Sequence, residues 1–329
     1  MKKHHPLDAK VTLVGASVLL TLVLLEILLR IPSWFPPFPD CIPNPSAYRI
    51  ICIGDSSTFG HGTSDRNRFS YPAQLQSLLD AHNKKPIQIF NLGLPGINSS
   101  QGYHILAKEI GRLSPHLILV CVGMNDAWNW EESRLLEEYE SKFFDKIKRD
   151  MLLFFNSLKL VRFFKLIKLT KEWVPSFTKE TIQNNHDLLP DEQKRRKALY
   201  ACLKNNLLDF KKLADSNKAR ILFIEYHAPG WNDPQILIHQ LYRSLDLNFI
   251  ETADFFSLAD GLNLPIRSRD GWHLNDYGYR LWVRLICNGL HGKIPIEIPH
   301  FTLTKKSLWN AKKIKKQHER KSVTKPLSN

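Results

Sequence analysis

Four short stretches of this 329-residue chain carry side chains that could do chemistry together. Gly54-Asp55-Ser56-Ser57 offers a serine in a glycine turn. A serine hydroxyl is a poor nucleophile until a base takes its proton. Asp270-Gly271-Trp272-His273 offers such a base, because histidine is the side chain that titrates nearest neutral pH. A carboxylate three residues earlier, Asp270, can fold back and hold the imidazole in one tautomer. Asn91-Leu92-Gly93-Leu94-Pro95-Gly96 holds two glycines that let a backbone N–H point into a cleft, and Gly123-Met124-Asn125-Asp126 adds a side-chain amide. A nucleophile, a base, an orienting acid and donors for a developing oxyanion are what acyl transfer requires. Each stretch alone has a plainer reading. Asp-Ser pairs cap helices, glycines make turns, and Asp270 and His273 can cap a helix beginning near Asn275.

The elements around these residues alternate in type. Apolar runs at Arg49–Ile53, Ile87–Leu92, Leu117–Val122, Ala219–Tyr226 and Leu247–Ile250 read as strands. Amphipathic stretches at Tyr71–Leu79, Ser100–Leu113, about 191–216, about 234–245 and about 275–289 read as helices. Strands alternating with helices predict a parallel sheet covered on both faces. In such a sheet ligands bind beyond the carboxyl ends of the strands. Serine, glycine and asparagine each follow one of the first three strands, and the histidine follows the last. Ser56 would open the helix after the first strand.

Nearly a hundred residues separate the third and fourth strands, more than one helix needs. Within them Met151–Leu169 is a basic amphipathic stretch, readable as a lid, a membrane-surface helix or a core-facing helix. The five cysteines are an odd number with no C-x-x-C, so neither a disulfide framework nor a zinc site is implied. The net charge of +14 is concentrated late: residues 305–325 hold nine Lys or Arg against Glu319. That pattern reads as a solvated tail, and without interleaved aromatics no specific nucleic-acid partner is expected.

Val11–Leu29 contains one charge, Glu26, in 19 residues, close to the ~20 that span a bilayer as a helix. Lys2, Lys3 and Lys10 precede it, which keeps the N-terminus cytoplasmic and puts the rest of the chain across the membrane. The run is longer than a signal peptide's usual apolar core and no A-x-A site follows, so an uncleaved anchor is favoured. Trp34, Phe35 and Phe38 suit the interface, and the prolines from Pro32 to Pro39 suit a stiff spacer.

The four blocks, in this order, resemble the SGNH hydrolases, also called the GDSL esterase/lipase family. The resemblance covers about residues 49–290, with Ser57 standing where many members have an apolar residue. It implies a three-layer α/β/α fold on a five-stranded parallel sheet of flavodoxin-like type, and no metal or organic cofactor. It assigns Ser56 as nucleophile, His273 as base and Asp270 as its orienting acid. The oxyanion would be held by the backbone N–H groups of Ser56 and Gly96 and the amide of Asn125, with Gly93 the substitute if the register shifts. The domain plan is then a cytoplasmic segment 1–10, a transmembrane helix 11–29, a spacer 30–47, a hydrolase domain 48–292 with a helical insertion at about 128–190, and a basic tail 293–329. The expected activity is hydrolysis, through an acyl-enzyme, of O-acyl esters at the cell envelope, the partner being an acylated glycan or a lipid. Acyl transfer to a glycan hydroxyl and a non-catalytic surface-binding module are the alternatives. Trp272 beside the base reads as a pocket wall or packing; His61 and His227 read as loop histidines, Asp126 as structural, and Asp254 as a cap or turn residue.

Overall fold

The computed structural model describes residues 6–34, 38, 42–129, 133, 192–228 and 233–303, and the chain divides into two compact units. The first has one described element, helix α1 (Pro6–Trp34). Its stretch Thr12–Arg30 is long and apolar enough to cross a membrane, and none of it is buried. The helix outruns the apolar segment at both ends, because hydropathy marks the apolar stretch and not the limits of helical hydrogen bonding. Proline fits the first helical turn, where its missing N–H leaves no bond unmade. Polar side chains within the run are answered locally. Ser17 and Thr21 donate to the carbonyls of Leu13 and Ser17, and Arg30 pairs with Glu26 at 2.7 Å, one turn apart.

The second unit is built on five strands: β1 (Tyr48–Gly54), β2 (Ile87–Gly93), β3 (Leu117–Cys121), β4 (Arg220–Ile224) and β5 (Phe249–Ile250). They lie in the order β2-β1-β3-β4-β5, every neighbouring pair parallel. Ile50 to Ile53 and Leu117 to Cys121 are fully buried, as continuous apolar strands covered on both faces must be. The helices of this unit are α2 (Ser56–Phe59), α3 (Arg66–Phe69), α4 (Tyr71–His82), α5 (Ser99–Leu113), α6 (Glu192–Ser216), α7 (Asp233–Ser244), α8 (Ala253–Gly261) and α9 (Asp276–Leu290), with a 3-10 turn at Met124–Ala127. Right-handed crossovers put α4 on one face of the sheet and α5, α6 and α7 on the other. The packing follows: α9 lies on α4, and both α5 and α7 lie on α6. Trp282 of α9 meets Tyr71 of α4 edge-on at 4.9 Å between ring centroids, both fully buried. The three-layer α/β/α architecture with a five-stranded parallel sheet is therefore the fold.

Differences from the sequence reading are local. The fifth strand has two residues instead of four, since Leu247 is taken by the turn closing α7, where its N–H donates to the Tyr242 carbonyl. The helix that Ser56 opens is a single turn, and β5 is followed by a helix the sequence reading did not name, α8, with Asp254, read as a cap or turn residue, in its first turn. Cys52, Cys121, Cys202 and Cys287 are buried thiols outside any disulfide. The expected insertion, with Met151–Leu169, lies outside the described residues apart from its edges, as do Pro36, Pro37, Pro39 and the basic tail from 304.

Candidate active site

The chain leaves β1 at the sheet's switch point, where successive strands begin to be added on the other side of β1. The loops after β1 and β3 diverge there and leave a crevice. Ser56 opens α2, with Asp55 as the N-cap whose carboxylate accepts the Ser57 N–H at 2.9 Å. Two glycines let α2 sit directly on the strand ends. A Cβ on Gly54 would lie 2.1 Å from Thr58 Oγ1 and 2.4 Å from the Cys121 carbonyl, and one on Gly93 would lie 2.3 Å from the Phe59 nitrogen.

The histidine comes from a small hairpin. Arg267 and Leu274 form an antiparallel bridge, and within it the Ser268 N–H donates to the His273 carbonyl at 2.8 Å. Asp270 sits in the turn. Its Oδ1 accepts the Ser268 hydroxyl at 2.6 Å and the N–H groups of Trp272 and His273 at 2.9 Å each. Its Oδ2 lies 2.6 Å from His273 Nδ1. An ionised carboxylate only accepts, so Nδ1 carries the proton and donates it; Nε2 keeps its lone pair, 2.9 Å from Ser56 Oγ. Burial pushes the Asp270 carboxyl up, but the bonds from Ser268, His273 and the two backbone N–H groups outweigh it and hold it well below the usual carboxylate range. Burial lowers the His273 imidazole. Asp270 opposes that while His61 and Arg267 add to it, and the net shift is downward. The arrangement is an ionised acid orienting a neutral base against a hydroxyl.

The hairpin and the segment from Ser56 to Ser64 are each braced. Arg267 donates to Asp260 of α8 at 3.1 Å and 2.5 Å, to His227 Nδ1 at 3.2 Å and to the Trp272 carbonyl at 3.0 Å. Tyr279 of α9 donates its hydroxyl to the carbonyls of Ser57 at 3.0 Å and His61 at 3.1 Å. Asp276, at the start of α9, accepts the N–H and hydroxyl of Ser64 at 2.8 Å and 2.6 Å.

Across the crevice, Asn125 lies in the 3-10 turn after β3. An indole N–H only donates, so the 3.0 Å contact from Trp128 Nε1 fixes Asn125 Oδ1 on that side. The amide nitrogen then donates to the Ile97 carbonyl at 2.9 Å and, at a longer 3.3 Å, to Asp55 Oδ2. Asn125 thus touches the neighbours of both Ser56 and Gly96. The Gly96 carbonyl accepts from Asn129 at 2.7 Å. The Gly93 N–H is already given to Asn91 Oδ1 at 2.9 Å. Tyr226, beyond β4, donates its hydroxyl to Asp55 Oδ2 at 2.7 Å. Burial pushes the Asp55 carboxyl up to about 6 against those bonds. Asp126 is fully buried, accepts the N–H and hydroxyl of Ser99 at 2.8 Å and 2.5 Å, and is pushed by burial up to about 7.

The remaining candidates separate. His61 is half-exposed and lies beside His273. His227 is buried against Trp282, and burial together with Arg267 holds its imidazole well below the usual range. The Trp272 side chain is 38% exposed and lies on the surface, while its backbone serves the hairpin. Sequence reasoning missed Arg267, Ser268, Tyr226 and Tyr279. Only Ser268 had a local signal, its two-residue spacing before Asp270, whereas Tyr226 and Tyr279 act across long sequence separations and Arg267 through partners that no local pattern marks.

Residues 52–202 match the model of the GDSL-like Lipase/Acylhydrolase family, a match that ends before the hairpin. An acetylxylan esterase of Xylanibacter ruminicola is 30% identical over 115 residues, 32% of this chain. The matched region spans 22% of the length of that curated relative. Among solved structures the chain is similar to a lipase/acylhydrolase from Enterococcus faecalis, at 14% identity and a TM-score of 0.45, covering 76% of this chain and 99% of that one. It is also similar to a two-domain esterase active on acetylated mannans, at 14% identity and a TM-score of 0.46, over 79% of this chain and 54% of that one. An acetylxylan esterase from Geobacillus stearothermophilus gives 16% identity and a TM-score of 0.41, over 76% and 96% of the two chains.

Proposed function

We propose that this chain, which carries a GDSL-like lipase/acylhydrolase region over residues 52–202, is a serine esterase that removes short acyl groups, acetyl above all, from a glycan. The observation that supports it is the line of contacts from Ser56 Oγ to His273 Nε2 at 2.9 Å and from His273 Nδ1 to Asp270 at 2.6 Å. In this reading Nε2 takes the hydroxyl proton as Ser56 Oγ attacks the ester carbonyl carbon. The carbonyl π pair moves to oxygen, and the oxyanion is met by the N–H groups of Ser56 and Gly96 and the amide of Asn125. The long 3.3 Å Asn125–Asp55 contact is the one that gives way to it, so part of the donor's strength is realised only as charge develops. Collapse expels the alkoxide, which takes the proton from Nε2. Water, deprotonated by the same nitrogen, then releases the acid and restores Ser56.

The preference for an acetylated glycan over a lipid draws on the acetylxylan esterase relative. Helix α1 serves as a membrane anchor, with the lysines before it on the cytoplasmic side and the catalytic unit across the membrane. An acyl-chain-length series on aryl esters and on acetylated xylo-oligosaccharides tests the substrate. Fastest turnover with acetyl supports the reading, and a maximum at long chains overturns it. Transfer of acetyl to an added glycan, in place of free acetate, would make the protein an acyltransferase.

A further inference from the structure

His61 is a second imidazole beside the Asp270–His273 pair. Its Nε2 lies 3.9 Å from Asp270 Oδ2, and its ring centroid is 4.4 Å from that of His273. One donor atom from each of His61, Asp270 and His273 falls within 4.8 Å of the others. The backbone holds His61 there: its N–H donates to the Ser56 carbonyl at 2.9 Å, and its own carbonyl accepts the Tyr279 hydroxyl at 3.1 Å.

We propose that these three side chains form a binding site for a divalent transition-metal ion of the Zn²⁺ type, and that the bound ion switches the esterase off. The inhibitory half of this rests on the roles given above to Ser56 and His273. Two imidazole nitrogens and one carboxylate are a donor set that Zn²⁺ accepts, whereas Mg²⁺ and Ca²⁺ prefer oxygen throughout. Zinc–donor bonds of about 2.0–2.2 Å put tetrahedral donors about 3.4 Å apart, so His61 closes on Asp270 by about half an ångström. Its side chain is half-exposed and free to make that movement, and water fills the open fourth position. Whichever ring nitrogen His273 lends, the base is lost. A metal on Nε2 occupies the lone pair that accepts the Ser56 proton. A metal on Nδ1 takes that nitrogen's lone pair, so the single ring proton moves to Nε2, which then can only donate to Ser56 and no longer accepts its proton. His61 itself handles no proton in the hydrolysis, so its removal leaves the metal-free reaction in place.

The test titrates Zn²⁺ into full-chain Ser56→Ala, which keeps all three donors, beside Ser56→Ala/His61→Ala and Ser56→Ala/His61→Gln. Calorimetry is expected to find a site in the first that weakens at least about tenfold in the other two, since even outer partners of metal ligands are worth 10–100-fold. Equal affinity in all three overturns the site. With Ser56 present, Zn²⁺ is expected to inhibit hydrolysis. At pH 8, His61→Gln should need at least about tenfold more Zn²⁺ for the same inhibition and keep its zinc-free rate, and Mg²⁺ should have no effect on either protein. Binding that depends on His61 without inhibition overturns the switch. Absence of hydrolysis under every condition overturns the esterase reading alone, and the calorimetric comparison still decides the site.

Discussion

The hydroxyl of Tyr226 donates to Asp55 Oδ2 across 2.7 Å and ties the end of β4 to the turn that presents Ser56. Asp55 is buried and its carboxyl is raised to about 6, so the folded protein holds a proton there that the unfolded chain gives up near 3.8. Stability contributed by this group therefore falls as pH rises from about 4 to 6. Tyr226→Phe removes a bond that favours the charged form, and it should cost about 1.5–3 kcal/mol at pH 8 and less at pH 5. Urea unfolding at the two pH values measures this, and an equal cost at both would contradict it.

Ser56→Ala and His273→Ala should each lower kcat by at least about 10³-fold with little change in KM, as for groups used in the chemical step. Asp270→Asn should cost about as much, because an amide no longer selects the tautomer that leaves Nε2 free. Steady-state kinetics on an acetyl ester reads all three, and a loss confined to KM would remove these residues from the chemistry.

The net downward shift of His273 has a direct consequence for the pH profile. The base works only when neutral, so kcat/KM falls as pH drops through its pKa, and that acid limb should lie below the ordinary histidine value of about 6.5. His61 is among the groups that hold the His273 imidazole down, so His61→Gln should move the limb upward and leave the plateau near pH 8 unchanged. A limb that stays in place in the variant would show that His61 does not act on the base.

Gly93→Ala should destabilise the protein by about 1–3 kcal/mol, the usual cost of overpacking. The added methyl meets backbone atoms of α2 at 2.3 Å and 2.6 Å, which have no rotamer to change. Since α2 carries Ser56, kcat should fall together with the melting temperature. A variant of normal stability and activity would place α2 further from β2 than described.

Much of this was written locally in the chain. The runs RIICI and LILVC are buried strands, and their apolar continuity gave the parallel sheet. Asp270 and His273 were legible because their partnership spans three residues and closes within one hairpin. Arg267 was not, because its partners Asp260 and His227 come from other elements and no local pattern marks a guanidinium as a brace. The single-turn length of α2 was hidden as well. It is set by the approach of Gly54 and Gly93 to Thr58 and Phe59, a matter of packing and not of propensity.

Because Asp270 and His273 travel on one hairpin, aligning three groups reduces to registering two bodies, the hairpin and the segment from Ser56 to Ser64. The Tyr279 hydroxyl and the Asp276 carboxylate, both on α9, rivet that segment from the helix that follows the hairpin without a break. In the proposed mechanism, drift between these two bodies separates the base from the hydroxyl. Directed evolution for speed or for tolerance of heat should accumulate its changes along α9, a helix that contributes no reacting atom.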